Sequence, residues 1–380
     1  QLNSATAKRT GNDDLCNESN TSERLQSHWR ANAQPREFAM LHPHRARIFA
    51  IMGHFRGSPR ERLKQTTPGY SQMKWPAHTV SVSCALIMVG LTVPANPVSA
   101  DATTTFSAEV GIGGEYDSNV SVDELDASSS ESDYALIVDA ELQVDHSFND
   151  SVDMAVTYDF SQSNYDQFSE LDRQTHLLGL DLGADMGAVN SGLSLYYIHA
   201  RLDGEEFLEY YRASPYVSGF LSKKWFARGA YVYSDKSIEQ NPGRDADSHA
   251  AEGDLYFFRR GLRSYFNLGY KYKDEDAVED RFDYSASNIK LRYIHRFDVF
   301  GDVLKTEFSW RYEYRDYSSI TPSIGEERED KRQRWKLDLE YPVLEKGAIQ
   351  LYTGYADYDS NFPRSDYDQY VVGTRFSYRW

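Results

Sequence analysis

The sequence predicts an all-β chain: a transmembrane antiparallel up-and-down β-barrel of about fourteen strands, with twelve and sixteen as the neighbouring even counts. Three observations predict it. Stretch after stretch alternates apolar and polar residues at period two. The connections between these stretches alternate between short and long. The last stretch, Thr374-Arg375-Phe376-Ser377-Tyr378-Arg379-Trp380, is a strand ending on an aromatic.

In that final strand Val372, Thr374, Phe376, Tyr378 and Trp380 share one face, and Arg375, Ser377 and Arg379 the other. Such a strand can close a barrel and seat its aromatics in an interfacial girdle. It resembles the C-terminal signal of bacterial outer-membrane proteins. Phe376, Tyr378 and Trp380 therefore read as an assembly signal for the barrel-assembly machinery.

The front of the chain differs. Residues 1–72 show no sustained periodicity and read as a non-native or disordered upstream extension. Met73-Lys74 is a short basic start, 80–93 an apolar run, and Val98-Ser99-Ala100 a small-residue cleavage site. Residues 73–100 thus read as a secretory signal peptide, with an apolar run too short for a comfortable membrane helix. Residues 101–380 would form the barrel, in the outer membrane of a Gram-negative bacterium. Cys16 and Cys84 both precede the cleavage site, so no disulfide framework is expected in the barrel.

The formal net charge is −17; residues 1–100 hold 12 Lys+Arg against 6 Asp+Glu, which leaves −23 on the remainder. An acidic chain of this kind argues against nucleic acid as a partner. Low mean hydropathy alone would suit a soluble protein. Yet 27 of the 28 tyrosines follow residue 100, with four of the six tryptophans. Few apolar residues with many aromatics is what a barrel needs when only alternate residues meet lipid.

The expected strands, in order, are 104–118, 133–146, 151–164, 173–184, 191–202, 208–221, 224–235, 248–259, 262–274, 283–296, 303–316, 332–341, 348–359 and 367–380. Alternation is clearest in four. Tyr134, Leu136, Val138, Ala140, Leu142 and Val144 oppose Asp139, Glu141, Gln143 and Asp145. Val152, Met154, Val156, Tyr158 and Phe160 oppose Asp153, Thr157 and Asp159. Leu304, Phe308, Trp310, Tyr312 and Tyr314 oppose Lys305, Glu307, Arg311, Glu313 and Arg315. Trp335, Leu337, Leu339 and Tyr341 oppose Arg334, Lys336, Asp338 and Glu340. Connections after even strands are short, as at Phe148-Asn149-Asp150 and Arg260-Gly261. Those after odd strands are longer and polar: 119–132, 236–247, 275–282 and 317–331. Short periplasmic turns with longer outside loops are the barrel rhythm.

Chemistry is sparse. His176, His199, His249 and His295 lie on separate expected strands, with no second His or Cys at metal-ligand spacing. No nucleophile context singles out a catalytic residue, so neither an enzyme nor a cofactor is expected. Gly111, Gly113 and Gly114 precede no helix and read as room for close strand packing. Charge on the wet faces is uneven. Asp139, Glu141, Asp145, Asp153 and Asp159 sit on strands two and three, with Glu252 and Asp254 on strand eight. Lys271, Lys273, Lys290, Arg292, Lys305, Arg311, Arg315, Arg334 and Lys336 sit on strands nine to twelve. In a closed barrel these walls face each other and put a transverse field across a watery lumen. The other reading is that the charges pair and plug it. Asp123, Glu124, Asp126, Glu131 and Asp133, and later Asp274, Glu275, Asp276, Glu279 and Asp280, make the loops acidic. Such runs are solvated, or hold divalent cations at the lipopolysaccharide surface.

Gly114-Glu115-Tyr116-Asp117-Ser118-Asn119-Val120 resembles the Gly-x-Tyr-Asp-Ser-Asn-Val opening of the C-terminal barrel in the surface lipoprotein assembly modifier family. The resemblance implies a barrel of similar strand number and a part in carrying proteins to the cell surface. That family's helical repeat domain has no counterpart here between Asp101 and strand one. Two functions are therefore expected: porin-like passage of small polar solutes, or a surface or secretion-linked barrel with a plugged lumen.

Overall fold

The computed structural model describes residues 103–380; the expected upstream extension and signal peptide lie outside the described residues. Fourteen strands follow one another: β1 Thr103–Asp117, β2 Asp133–Asn149, β3 Val152–Tyr165, β4 Arg173–Asp185, β5 Asn190–Leu202, β6 Glu205–Ser222, β7 Trp225–Ile238, β8 Ala246–Phe258, β9 Ser264–Ala277, β10 Tyr284–Val299, β11 Asp302–Thr321, β12 Glu326–Pro342, β13 Gly347–Ser360 and β14 Tyr367–Arg379. Each pairs antiparallel with its chain neighbours, and β14 pairs with β1 (Val110 opposite Tyr378, Ile112 opposite Phe376) to close the barrel. Closure satisfies every edge, the condition for β-structure in lipid.

The alternation read from the sequence becomes an inside and an outside. Exposed Ile112, Leu136, Leu142, Leu178, Val217, Leu268, Leu351 and Val372 form an outward apolar band. Aromatics flank it. Phe106, Phe148, Trp225, Phe297, Tyr378 and Trp380 lie at the short-turn end; Tyr134, Tyr211, Tyr231, Tyr270 and Tyr370 lie toward the loops. A closed barrel with such a band is stable only in a membrane, and its place is the bacterial outer membrane.

At the turn end the hairpins are tight. Phe300 (φ 53°) and Gly301 (φ 93°) both take the left-handed backbone that a two-residue turn requires. The expected loop 317–331 is instead mostly strand, since β11 runs to Thr321 and β12 begins at Glu326. Above the lipid the outward face meets water and the inward face carries ion pairs such as Arg328 with Asp330, so the charged composition of this strand reads as a loop. A register shift between Asp316 and Ile320 marks where the pairing changes. The histidines sit on the outer wall: His176 faces His199 in register, and Tyr158 and Tyr293 hydroxyls bond the Nδ1 atoms of His176 and His295, both at 2.8 Å.

Candidate functional site: the lumen

The inner faces of β1–β3 carry Glu109, Glu115, Asp117, Asp139, Glu141 and Asp159. Across from them β10–β12 carry Lys290, Arg292, Lys305, Arg311, Arg334 and Lys336, while Arg375 and Arg379 stand on β14, beside β1. Between the two walls is a cavity of about 470 Å³ lined by all of these residues. A second cavity, about 260 Å³, lies toward the loops. It is lined by Arg212, Lys236, Arg244, Lys271, Lys273, Arg311, Arg315, Arg332 and Arg334 against Glu124, Glu275 and Glu313. Cations outnumber acids on this lining. Tyr196, Tyr210, Tyr284 and Tyr317 add aromatic surface. Leu177, Arg311 and Arg334 line both cavities. Of the charges singled out in the sequence, Asp145, Asp153, Glu252 and Asp254 line neither cavity; Asp153 packs where Gly183 lacks a side chain.

Wall charges are also tied sideways. Lys290 Nζ donates to Asp254 at 2.7 Å, Arg212 to Glu252 at 2.9 Å, and Lys336 sits 2.9 Å from Asp338. Arg292 approaches Glu307 at 3.5 Å. Buried cations need such partners. Arg375 joins three strands: it donates to Asp139 at 2.7 Å and to Glu109 at 2.9 Å, while Arg379 reaches Glu109 and, at 2.9 Å, Glu340. The inward parity of 375 and 379 was readable in the sequence, but their pairing with the acids of β1 and β2 depends on barrel closure. The glycines of β1 serve this contact. A Cβ on Gly111 would meet the Arg375 side chain, and one on Gly113 the Thr374 carbonyl.

The first loop, 118–132, does not stand in solvent. Ser121–Val122 and Ala127–Ser128 pair as a small hairpin around a 3-10 turn at Asp123–Leu125. It lies across the outer mouth. Val120 packs against Ala135, Ile137 and Tyr165; Val122 packs against Ala200, Leu202, Phe207, Leu208 and Ile238 on β5–β7. On the far side Asp126, 4% exposed, meets Arg328 of β12 in a two-point contact at 2.9 and 3.0 Å. Ser365 Oγ donates to it at 2.9 Å, and Arg244 of the β7–β8 loop pairs with it. Burial lowers the Arg244 pKa to about 10, which leaves it charged at neutral pH. Two acids of this stretch turn inward. Asp126 is buried, and Asp133 accepts backbone N–H bonds from Gln167 (2.8 Å) and Phe168 (3.0 Å). In the later run, Glu275 also turns inward, to Lys236 and Lys273.

The Gly114–Val120 stretch is the base of this lid. Gly114 and Tyr116 stay in the wall, with Tyr116 packed on Tyr134. Asp117 accepts from the Asn119 N–H at 2.9 Å and from Gln369 at 2.8 Å. Ser118 Oγ accepts from Tyr370 N at 2.7 Å. Asn119 Oδ1 accepts from Ser128 Oγ at 2.6 Å, and its Nδ2 donates to the Asp368 carbonyl at 3.1 Å. Short polar side chains bonding nearby backbone are turn chemistry. Here they bend the chain inward at Val120.

No family model matches this chain, and no curated protein does. Solved structures do. The anion-selective porin from Comamonas acidovorans aligns over 74% of this chain and 100% of its own at 10% identity, TM-score 0.41. Outer-membrane expressed OmpT of Vibrio cholerae aligns over 74% and 99% at 9% identity, TM-score 0.45. CdiB from Acinetobacter baumannii aligns over 72% and 60% at 10% identity, TM-score 0.41. The likeness is one of barrel fold.

Proposed function

We propose that the barrel is a conduit for small polar solutes, with a preference for anions, and not an enzyme. One observation carries the reading: two cavities occupy the lumen, and the outer one has more cations on its lining than acids. A solute passing Arg311 and Arg334 meets guanidinium groups that bind carboxylates and phosphates in a plane. The acidic wall opposite would orient a dipolar solute. The second reading, a surface or secretion-linked barrel, is favoured by the first loop lying across the mouth, and by the resemblance of 114–120 to surface lipoprotein assembly modifier barrels. Purified, heat-modifiable protein in planar bilayers separates the two. A steady conductance with an anion-selective reversal potential supports the conduit. Silence from folded protein whose lid has been removed (residues 119–131 replaced by a short Gly-Ser link) favours the second reading.

A further inference from the structure

We propose that Arg328, Arg244 and Ser365 form a carboxylate-binding site at the outer mouth, filled in the closed state by the lid's own Asp126. A solute carboxylate arriving from outside takes that place and releases the lid. The inference rests on the conduit reading, and its test is built to fail separately.

Asp126 serves as an internal stand-in for the ligand. Its two oxygens take the fork of Arg328 at 2.9 and 3.0 Å, and Ser365 Oγ adds a bond at 2.9 Å. Paired N–H donors in one plane are how proteins recognise a carboxylate. Arg328 is held from the barrel side, while Arg244 also donates to the Glu124 carbonyl of the lid at 2.8 Å. Asp330 holds Arg328 through Nε and Nη2, both at 2.8 Å. The guanidinium lies over the Tyr317 ring at 4.6 Å and the Phe362 ring at 4.9 Å. Arg244 is likewise set over Phe282 at 4.3 Å. With Asp126 gone, Arg244 and Arg328 lose a shared carboxylate, and the one negative charge removed from the cluster is what an arriving carboxylate restores.

The lid is built to yield at this point. Asp126 and Ser130 adopt positive φ (51° and 58°), a region sparsely populated by residues other than glycine. Val120 and Val122 keep an apolar footing that losing the ion pair does not touch. Release therefore frees the Asp126 end, while the base at Asp117–Val120 stays in place.

Two spin labels measure the movement, with Cys16 and Cys84 replaced by Ser: one at Glu124→Cys, half-buried on the lid beside Asp126, and one at Glu327→Cys, exposed on β12. The full chain is placed in lipid nanodiscs and titrated with galacturonate, with galactose as the uncharged comparison. Galacturonate is expected to lengthen the label distance; galactose is not. Asp126→Asn should show the longer distance without ligand, its released fraction up roughly tenfold, a low figure for removing one partner of a buried ion pair. Arg328→Lys keeps the charge, loses the fork, and should respond more weakly to galacturonate. Heat-modifiable gel mobility confirms that each variant is folded. If neither galacturonate nor Asp126→Asn moves the labels, or if galactose moves them equally, the proposal is overturned. If the labels separate but Asp126→Asn passes no current in planar bilayers, the carboxylate latch stands and the conduit reading falls.

Discussion

Arg375 explains, at the scale of one side chain, why β1 carries two glycines on its inner face. The guanidinium must cross β1 to reach Asp139 on β2 while also meeting Glu109. It lies where a side chain at Gly111 would be. Replacing Arg375 with Leu takes from Asp139, a half-buried carboxylate, the guanidinium that pairs with it. A loss of about 1–3 kcal/mol is expected, the range for bonds to charged groups. Urea unfolding, read by the heat-modifiable band, measures it. Gly111→Leu should cost a similar amount by displacing the same guanidinium. The two together should cost less than their sum, since both remove one contact. Full additivity would show that the glycine serves some other purpose.

At the scale of an element, β11 and β12 give the sharpest statement of inside and outside. Trp310 and Trp335 lie opposite each other in register, ring centroids 5.7 Å apart, and Trp335 is exposed on the outer wall. Arg311 and Arg334 are the next pair in register and line both cavities. Trp310→Arg puts a cation into lipid near the middle of the strand, at roughly 2–4 kcal/mol. It should reduce folded protein in the outer membrane, while Arg311→Ser should leave the yield unchanged; the heat-modifiable fraction reads both. The reverse result would turn the barrel inside out. Deleting Trp380 tests the other end of the chain. Its N–H closes on the Ala108 carbonyl at 3.1 Å and its ring meets Tyr378 at 5.5 Å. Slower membrane assembly is expected, and normal assembly would remove the terminal aromatic from the signal. This much was legible in the sequence because lipid imposes one constraint on every second residue. The lid was not. Period-two patterning is silent on loops, and the acids of 123–133 read as solvated. Asp126 finds Arg328 some 202 positions away, which no local pattern announces.

For the whole molecule the question is which sign of charge governs passage. The formal net charge is −17, yet that figure predicts little about the lumen. Outward Asp274, Asp276, Asp357, Asp359 and Asp368 contribute to it, and they stand beyond the lipid band in screened water. Screening limits their reach to about 8 Å at physiological salt. Inside, charged side chains line both cavities directly, so local charge decides. The smaller outer cavity carries the cation excess, and Arg311 and Arg334 line both it and the larger one. Under a tenfold KCl gradient the wild-type barrel should show a reversal potential of the sign for chloride. Arg311→Ser with Arg334→Ser should move that potential toward zero or past it, at nearly unchanged stability, because each Ser keeps the inward face polar. Raising salt to about 1 M shortens the screening length to about 3 Å and should shrink the wild-type preference in the same direction. A wild-type potential that favours potassium would show that the acidic wall of β1–β3 governs passage, and the basic cavity would then be a binding pocket off the path.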